Sequence, residues 1–297
     1  MALNLQTFKT RTLTAIVFVL VMLVGLLWNM WSFLVMFSVI HIGCWLEYQK
    51  LVGLIDTRYA AISTAHRYGI ILFGAGLLFS MINQDASSVS RSIHNMGVIL
   101  SLCGLALLVF DTLKNYNKTT GINVLFSFAG LLYITLPWAC IIAIRNTEAI
   151  FYENSSSYPL PFIIPIILIA SIWINDTMAY LVGSLIGKTS LSKISPKKTW
   201  EGTIGGAILC VVTVTLVGYH VLKFRDITSL IVISSVAAIA GTLGDLVESK
   251  LKRMAGVKDS GHLMPGHGGF LDRFDSLLLA TPFVCLYLFF FMVRFNW

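Results

Sequence analysis

The chain has 297 residues, of which 57% are hydrophobic and only 12% charged, with a formal net charge of +7 and a mean hydropathy of +0.82. So little charge excludes a soluble domain of this size, whose surface needs far more polar cover, and makes the lipid bilayer the solvent for most of the chain. Strand-like alternation of polar and apolar residues is absent, which argues against a membrane β-barrel and leaves an all-α, polytopic helical bundle.

In chain order, about nine apolar segments stand out, near 13–29, 31–49, 68–83, 96–111, 122–144, 161–186, 203–222, 228–247 and 276–295. About 20 helical residues span the hydrocarbon, so most of these are long enough to cross. The second to fourth are the weakest, because Gly and polar residues interrupt them. With the N-terminus on the cytoplasmic side and nine crossings, only Arg91, Arg145, Lys223, Arg225 and Arg294 of the 21 Lys and Arg residues fall outside. That asymmetry is the positive-inside pattern, and it predicts a cytoplasmic N-terminus. The first segment follows Lys9 and Arg11, is long and lacks a small-residue cleavage site, so it is expected to stay as a span. Cys44, Cys103, Cys140, Cys210 and Cys285 all lie in apolar segments without ligand spacing and read as packing residues.

The two halves differ. Residues 1–145 form an N-terminal transmembrane region with ordinary loops. Residues 159–297 form a second region with ionisable groups inside or at the ends of its spans, and the chemistry is expected within 170–275. In the sixth segment, Trp173, Asp176 and Tyr180 share one helix face. An intramembrane acid is costly unless it is paired, hydrated or metal-bound, so Asp176 reads either as an interhelical hydrogen bond or as part of a polar site. Next, Ser195-Pro-Lys197-Lys198-Thr199 sets two lysines and two hydroxyls before the seventh helix. Ammonium groups and a helix N-terminus suit phosphate oxygens, and Thr199 can cap that helix; the plainer reading is a positive-inside loop with a cap. In the third motif, Asp245, Ser249 and Arg253 share a face as the eighth segment leaves the membrane, where Asp245 could simply pair with Arg253.

The stretch Ser249–Asp275 places Lys252, Arg253, Lys258 and Arg273 beside Asp259, Asp272 and Asp275, with Gly261, Gly266, Gly268 and Gly269 between them. Asp272 and Asp275, three apart at the start of the ninth helix, form either a charged cap or a site for a divalent cation. Mg²⁺ takes oxygen ligands together with substrate phosphates, so these residue types suit a metal-bound polyphosphate. His267 could hold a phosphate or be a satisfied loop histidine.

Across Ser249, Leu251-Lys252-Arg253, Lys258-Asp259, Gly261, Pro265, His267-Gly-Gly-Phe270, Asp272-Arg-Phe and Asp275, the sequence resembles the phosphatidate cytidylyltransferases, the CDP-diglyceride synthetases. Asp176-Thr177, Ala179-Tyr180, Gly187-Lys188 and Ser195–Gly202 look like further motifs of that family; Met264 and Met178 are its departures. The resemblance covers residues 173–275, and the first half matches only as a multi-span region. It implies transfer of CMP from CTP to phosphatidate, giving CDP-diacylglycerol and pyrophosphate for phospholipid synthesis. It also implies a metal centre on Asp245 and Asp272, with Mg²⁺ as cofactor in one or two ions, and a homodimer in the bilayer, at the inner membrane in a bacterium. In that frame Asp245, Asp272, Asp275, Lys252, Arg253, Lys258 and Arg273 are the expected catalytic residues. Asp176, Tyr180, Ser195, Lys197, Lys198, Thr199, Ser249, His267, Gly268 and Gly269 are the expected substrate-binding ones. The partners are CTP, phosphatidate and lipid, with no nucleic acid. A CTP-dependent kinase or transferase acting on another lipid could use the same site, and an ion-coupled transporter centred on Asp176 is the reading from a different class.

Overall fold

The computed structural model describes residues 5–83, 87–115, 121–152, 163–261 and 268–292. Among the described residues, every apolar segment read from the sequence is built on helix. The helices are α1 Leu5–Leu27, α2 Met30–Ile55, α3 Thr57–Ala60, α4 Thr64–Ser80, α5 Ser88–Lys114, α6 Gly121–Gly130, α7 Leu136–Tyr152, α8 Ile163–Ile186, α9 Trp200–His220, α10 Ile227–Met254 and α11 Leu271–Tyr287. A π-helical turn, Leu131–Thr135, joins α6 to α7, and a second one, Leu288–Met292, extends α11. Among the described residues seven helical stretches are long and apolar enough to cross a membrane, counting α6 with α7 and α11 with its π-helical extension as one each; the apolar part of α1, Leu13–Leu27, is shorter, and α4 has 17 residues. No sheet occurs among the described residues, where Ser190 and Thr199 form an isolated antiparallel bridge.

The helices gather into two compact units. The first comprises Met1–Ile142 with Leu251–Phe274, and the second Ala143–Lys250 with Asp275–Trp297. The chain passes from the second unit to the first within α10 and returns within α11.

In the first unit the core is aromatic and aliphatic. Phe33, Phe37, Trp45 and Trp138 are buried, Phe37 and Trp138 lie 5.1 Å apart between ring centroids, and Trp138 meets Phe274 edge-on at 5.5 Å. The glycines that interrupt the third and fourth apolar segments have a packing reason. Gly69 and Gly76 on α4 and Gly97 and Gly104 on α5 line the seam of the two helices, where a Cβ on Gly76 would lie 2.7 Å from the carbonyl oxygen of Gly97 and one on Gly97 would lie 2.5 Å from Ser80 N, while Gly74 faces Thr135 and His41. Without an added hydrophobic gain between helices in lipid, such close backbone approach supplies the van der Waals contact that holds them. Polar side chains add hydrogen bonds across the unit: Thr135 Oγ1 lies 3.0 Å from both His41 Nε2 and Trp45 Nε1.

In the second unit α8 and α9 approach in the same manner, with a Cβ on Gly206 reaching to 2.6 Å of Ala179 Cα. The sequence places Gly241 and Gly244 where close helix contact is possible. Gly244 makes such a contact, since a Cβ there would lie 2.5 Å from Asp275 O and 3.1 Å from Ser276 Cα. This contact brings the first residues of α11 in the second unit against α10.

Candidate functional site

The polar groups of the second unit are arranged around α10. Thr199 caps α9, accepting from Gly202 N at 3.1 Å, as the sequence suggests. The loop before it is fixed from both ends. Leu191 N donates to Lys198 O at 2.8 Å and Trp200 N to Thr189 O at 2.9 Å, while Glu201 accepts from the backbone N–H groups of Lys188 and Thr189 at 3.2 Å. Glu201 thus clamps the loop through its backbone and leaves the lysine side chains to other partners. The clamped loop delivers the ammonium of Lys198 to Asp245 Oδ2. Lys197 is exposed, and Ser195 is half-buried with its carbonyl accepting from Lys198 N at 3.2 Å.

Asp245 belongs to a group of three acids. One carboxylate oxygen each from Asp245, Glu248 and Asp275 lie within 4.8 Å of one another. Glu248 is fully buried and Asp275 nearly so, while the hydroxyl of Ser249 lies 3.4 Å from Asp245 Oδ1. Asp176, one helix away on α8, is exposed and lies within the field of Lys198 and Asp245. The interhelical hydrogen bond that could have explained an intramembrane acid is made by its buried neighbour instead: Asn175 Nδ2 reaches Thr242 Oγ1 at 3.5 Å. Tyr180 stands 75% exposed on α8.

Clustered carboxylates repel one another, and burial removes the water that would screen them, so such a group needs positive charge. Three hard oxygen donors at this spacing match the donor preference of Mg²⁺, which binds through one or two carboxylates and keeps the rest of its shell for water and substrate phosphate. The donor set therefore fits a divalent cation.

The polar groups of the first unit lie around the start of α11. Lys252, nearly buried, donates to Asp272 Oδ1 at 2.5 Å. Asp272 Oδ2 accepts from Ser260 N at 2.8 Å and from Gly269 N at 2.8 Å. Glu47 on α2 grips the same turn: its Oε1 accepts from Phe270 N at 2.8 Å and its Oε2 from Leu271 N at 2.9 Å. The hydroxyl of Ser260 lies 2.7 Å from Glu47 and 2.9 Å from Asp272, with one proton to give between them. The N–H groups of the turn that enters α11, Gly269 to Leu271, are thus satisfied by two carboxylates, with acids at a helix N-terminus, the end the helix dipole favours for them. The glycines here serve close approach. Gly268 adopts φ +78°, and a Cβ on it would lie 2.5 Å from Asp272 Oδ2, while one on Gly261 or Gly269 would strike the Glu47 carboxylate.

The remaining expected residues are spread around this turn. Arg253 is exposed and donates to Val257 O at 3.1 Å. Lys258 is exposed, and Arg273 is exposed on the first turn of α11. His267 lies outside the described residues. Sequence reasoning missed Glu47, Glu248 and Ser260. Glu47 had a signal, since an acid inside an apolar segment marks a site by default. Glu248 had another, standing three residues after Asp245 and so on the same helix face.

Comparison with known proteins gives a consistent answer. The family described as "Cytidylyltransferase family" matches residues 9–291. The phosphatidate cytidylyltransferase of Staphylococcus saprophyticus is 32% identical over 282 residues, covering 92% of this chain and 96% of that protein. The protein of the same name from Staphylococcus aureus (strain COL) is 31% identical over 277 residues, and that of Staphylococcus epidermidis (strain ATCC 35984) is 33% identical over 282, both with the same coverage.

Proposed function

The chain belongs to the cytidylyltransferase family, and from that premise we infer that it transfers CMP from CTP to phosphatidate, forming CDP-diacylglycerol and pyrophosphate. A phosphate oxygen of phosphatidate forms the new bond to the α-phosphorus of CTP, and the bond to the β-phosphate oxygen breaks to release pyrophosphate. The second pKa of a phosphate monoester is about 6, so the nucleophile is already largely ionised at neutral pH and no strong base is needed. What the reaction needs is a place where two anions can meet, because catalysis of phosphoryl transfer is mostly positioning and charge stabilisation.

The observation that carries this reading is the acid group Asp245, Glu248 and Asp275 with the Lys198 ammonium on Asp245. Those acids would hold Mg²⁺, which when bound neutralises phosphate oxygens and favours departure of pyrophosphate. Lys198 stands ready to exchange a carboxylate for a phosphate, and Thr199 fixes the turn that presents it. In the first unit Asp272 already holds a cation, the Lys252 ammonium. It would serve as a metal ligand by giving up that ammonium, which then becomes available to phosphate. Lys197, Arg253, Lys258 and Arg273, all exposed, add positive charge that draws in nucleotide and lipid head group. In this reading Asp176, Tyr180, Ser195, Ser249, His267, Gly268 and Gly269 border the substrates, the N-terminus and the site face the cytoplasm, and two copies form a homodimer.

Purified protein in detergent with Mg²⁺, CTP and phosphatidate is expected to release pyrophosphate and form CDP-diacylglycerol in equal amounts. Pyrophosphate without CDP-lipid, or neither, would refute the assignment. Asp272→Asn is expected to abolish turnover in a folded, membrane-inserted protein; near wild-type activity would remove Asp272 from the site.

A further inference from the structure

We propose that Lys198 is a tethered stand-in for the metal: its ammonium keeps the acid group of the second unit closed to a divalent cation until a triphosphate offers that ammonium another partner. Metal and CTP would then load as a coupled pair, each strengthening the other, and not independently. The proposal concerns how the site is regulated, and it rests on the CMP-transfer reading above for the identity of the triphosphate.

Asp245, Glu248 and Asp275 bring one carboxylate oxygen each within 4.8 Å of one another, and the Lys198 ammonium contacts Oδ2 of Asp245. The hydroxyl of Ser249 donates to the other oxygen, Oδ1, at 3.4 Å. A cation that enters the group therefore meets an ammonium already seated on one of its ligands. Like charges at contact distance repel, and they repel more where burial keeps water out; Glu248 is fully buried and Asp275 nearly so. Full use of Asp245 as a metal ligand thus requires the ammonium to leave. While it stays, it supplies the positive charge that clustered carboxylates need.

The loop is built to hold that ammonium in place. Both backbone groups of Lys198 are engaged: its N–H donates to Ser195 O at 3.2 Å, and its carbonyl accepts from Leu191 N at 2.8 Å. Glu201 ties the start of the loop to the start of α9 through Lys188 N and Thr189 N. With the backbone fixed, side-chain torsions alone carry the ammonium away from Asp245, and they leave it close by. Lys197, next in sequence, is exposed where Lys198 is half-buried, so experiment can tell the two lysines apart. A ligand that must displace an internal partner binds more weakly, in proportion to the fraction of molecules in which that partner has already left. Phosphate oxygens accept strong hydrogen bonds from an ammonium, so a bound triphosphate raises that fraction. Coupling of this kind is reciprocal: metal strengthens CTP by the factor by which CTP strengthens metal.

The test uses the full chain in detergent, without phosphatidate, and Mn²⁺ as the probe, with free Mn²⁺ read by electron paramagnetic resonance. In the absence of nucleotide, Lys198→Met is expected to bind Mn²⁺ about fivefold more tightly than wild type, the low end of ordinary coupling between sites. Lys198→Arg, which keeps a cation, and Lys197→Met are expected to stay near wild type. Glu248→Gln added to Lys198→Met is expected to remove the gain, which places the bound Mn²⁺ on the acid group. Mn²⁺ affinity unchanged or weakened by Lys198→Met would overturn the proposal. An equal gain from Lys197→Met would mean a general effect of lost positive charge and overturn it too. A second measurement needs no variant. Acetylation of Lys198 by acetic anhydride, read by mass spectrometry against Lys197 beside it, is expected to quicken about fivefold with saturating Mg²⁺ alone and to slow again when CTP is added. A Lys198 rate that ignores Mg²⁺ would overturn the proposal even if CDP-lipid forms. Wild-type protein that forms no CDP-lipid would refute the CMP-transfer reading instead, while the Mn²⁺ and acetylation arms still judge Lys198.

Discussion

Glu47→Ala tests how the turn at Phe270–Asp272 is held. The substitution removes the acceptors of the backbone N–H groups of Phe270 and Leu271 and one of the two carboxylates at the Ser260 hydroxyl. Hydrogen bonds to a charged group contribute about 1.5–3 kcal/mol each. Glu47 is only half-buried, so water can replace part of what is lost, and we take about 3 kcal/mol for local opening of the turn. At 1.4 kcal/mol per factor of ten, that is about a hundredfold. Amide hydrogen exchange read on peptides covering 268–275 is expected to accelerate by that factor at Phe270 and Leu271, with α4 and α5 exchanging as in the wild type. Because the same turn positions Asp272, turnover should fall alongside. Glu47→Asp, which keeps the charge but shortens the reach, should lie between the two. Exchange at Phe270 and Leu271 unchanged from wild type would refute the role given to Glu47, and acceleration spread evenly over the whole chain would show a global defect instead of a local one.

Other changes separate the parts of the site. Glu248→Gln removes one charge from the acid group and is expected to raise the Mg²⁺ concentration for half-maximal turnover at least tenfold, read from Mg²⁺ titrations of pyrophosphate release; an unchanged midpoint would remove Glu248 from the metal set. Lys198→Met takes the ammonium from Asp245 and is expected to lower kcat/KM for CTP about a hundredfold, the scale of one lost charge-stabilising group of about 2.7 kcal/mol; a loss below threefold would mean that Lys198 only neutralises Asp245. Gly268→Ala forces a side chain into a left-handed backbone conformation with a Cβ 2.5 Å from Asp272 Oδ2. It is expected to destabilise the turn by about 1–3 kcal/mol, measured by the same exchange experiment, and wild-type exchange would show that the turn relaxes freely.

Much of the architecture was legible because hydropathy is written into the chain: each apolar segment became a helix, and Thr199 became a cap where its position before an apolar run indicated one. The glycines of the third and fourth segments weakened those segments as sequence patterns, yet Gly76 and Gly97 are what let α4 and α5 touch. Pattern reading counts a glycine as lost hydrophobicity and cannot see the partner backbone that fills its place. Candidate site residues stood out in the sequence where an acid or base interrupted apolar or glycine-rich surroundings, as Asp176, Asp245 and Asp272 do. Which of two adjacent lysines meets Asp245 was not legible, because that choice is made by the hydrogen bonds that close the 189–200 loop. Glu47 was hidden by distance: its partners lie 213 to 224 residues further along the chain, and no local pattern links them. Glu248 was hidden by proximity, since beside Asp245 it resembles one more charge on a helix leaving the membrane.

The central claim is that the α-phosphorus of CTP is the atom attacked and that the whole CMP group moves to the lipid. It is tested most directly by parallel reactions with CTP labelled at the α- or the γ-phosphate, phosphatidate and Mg²⁺, followed by extraction of the lipid. The α-label is expected in the lipid fraction and the γ-label in pyrophosphate. A γ-label that enters the lipid would mean kinase chemistry, and an α-label that stays in water-soluble nucleotide would mean hydrolysis; either result would contradict the account.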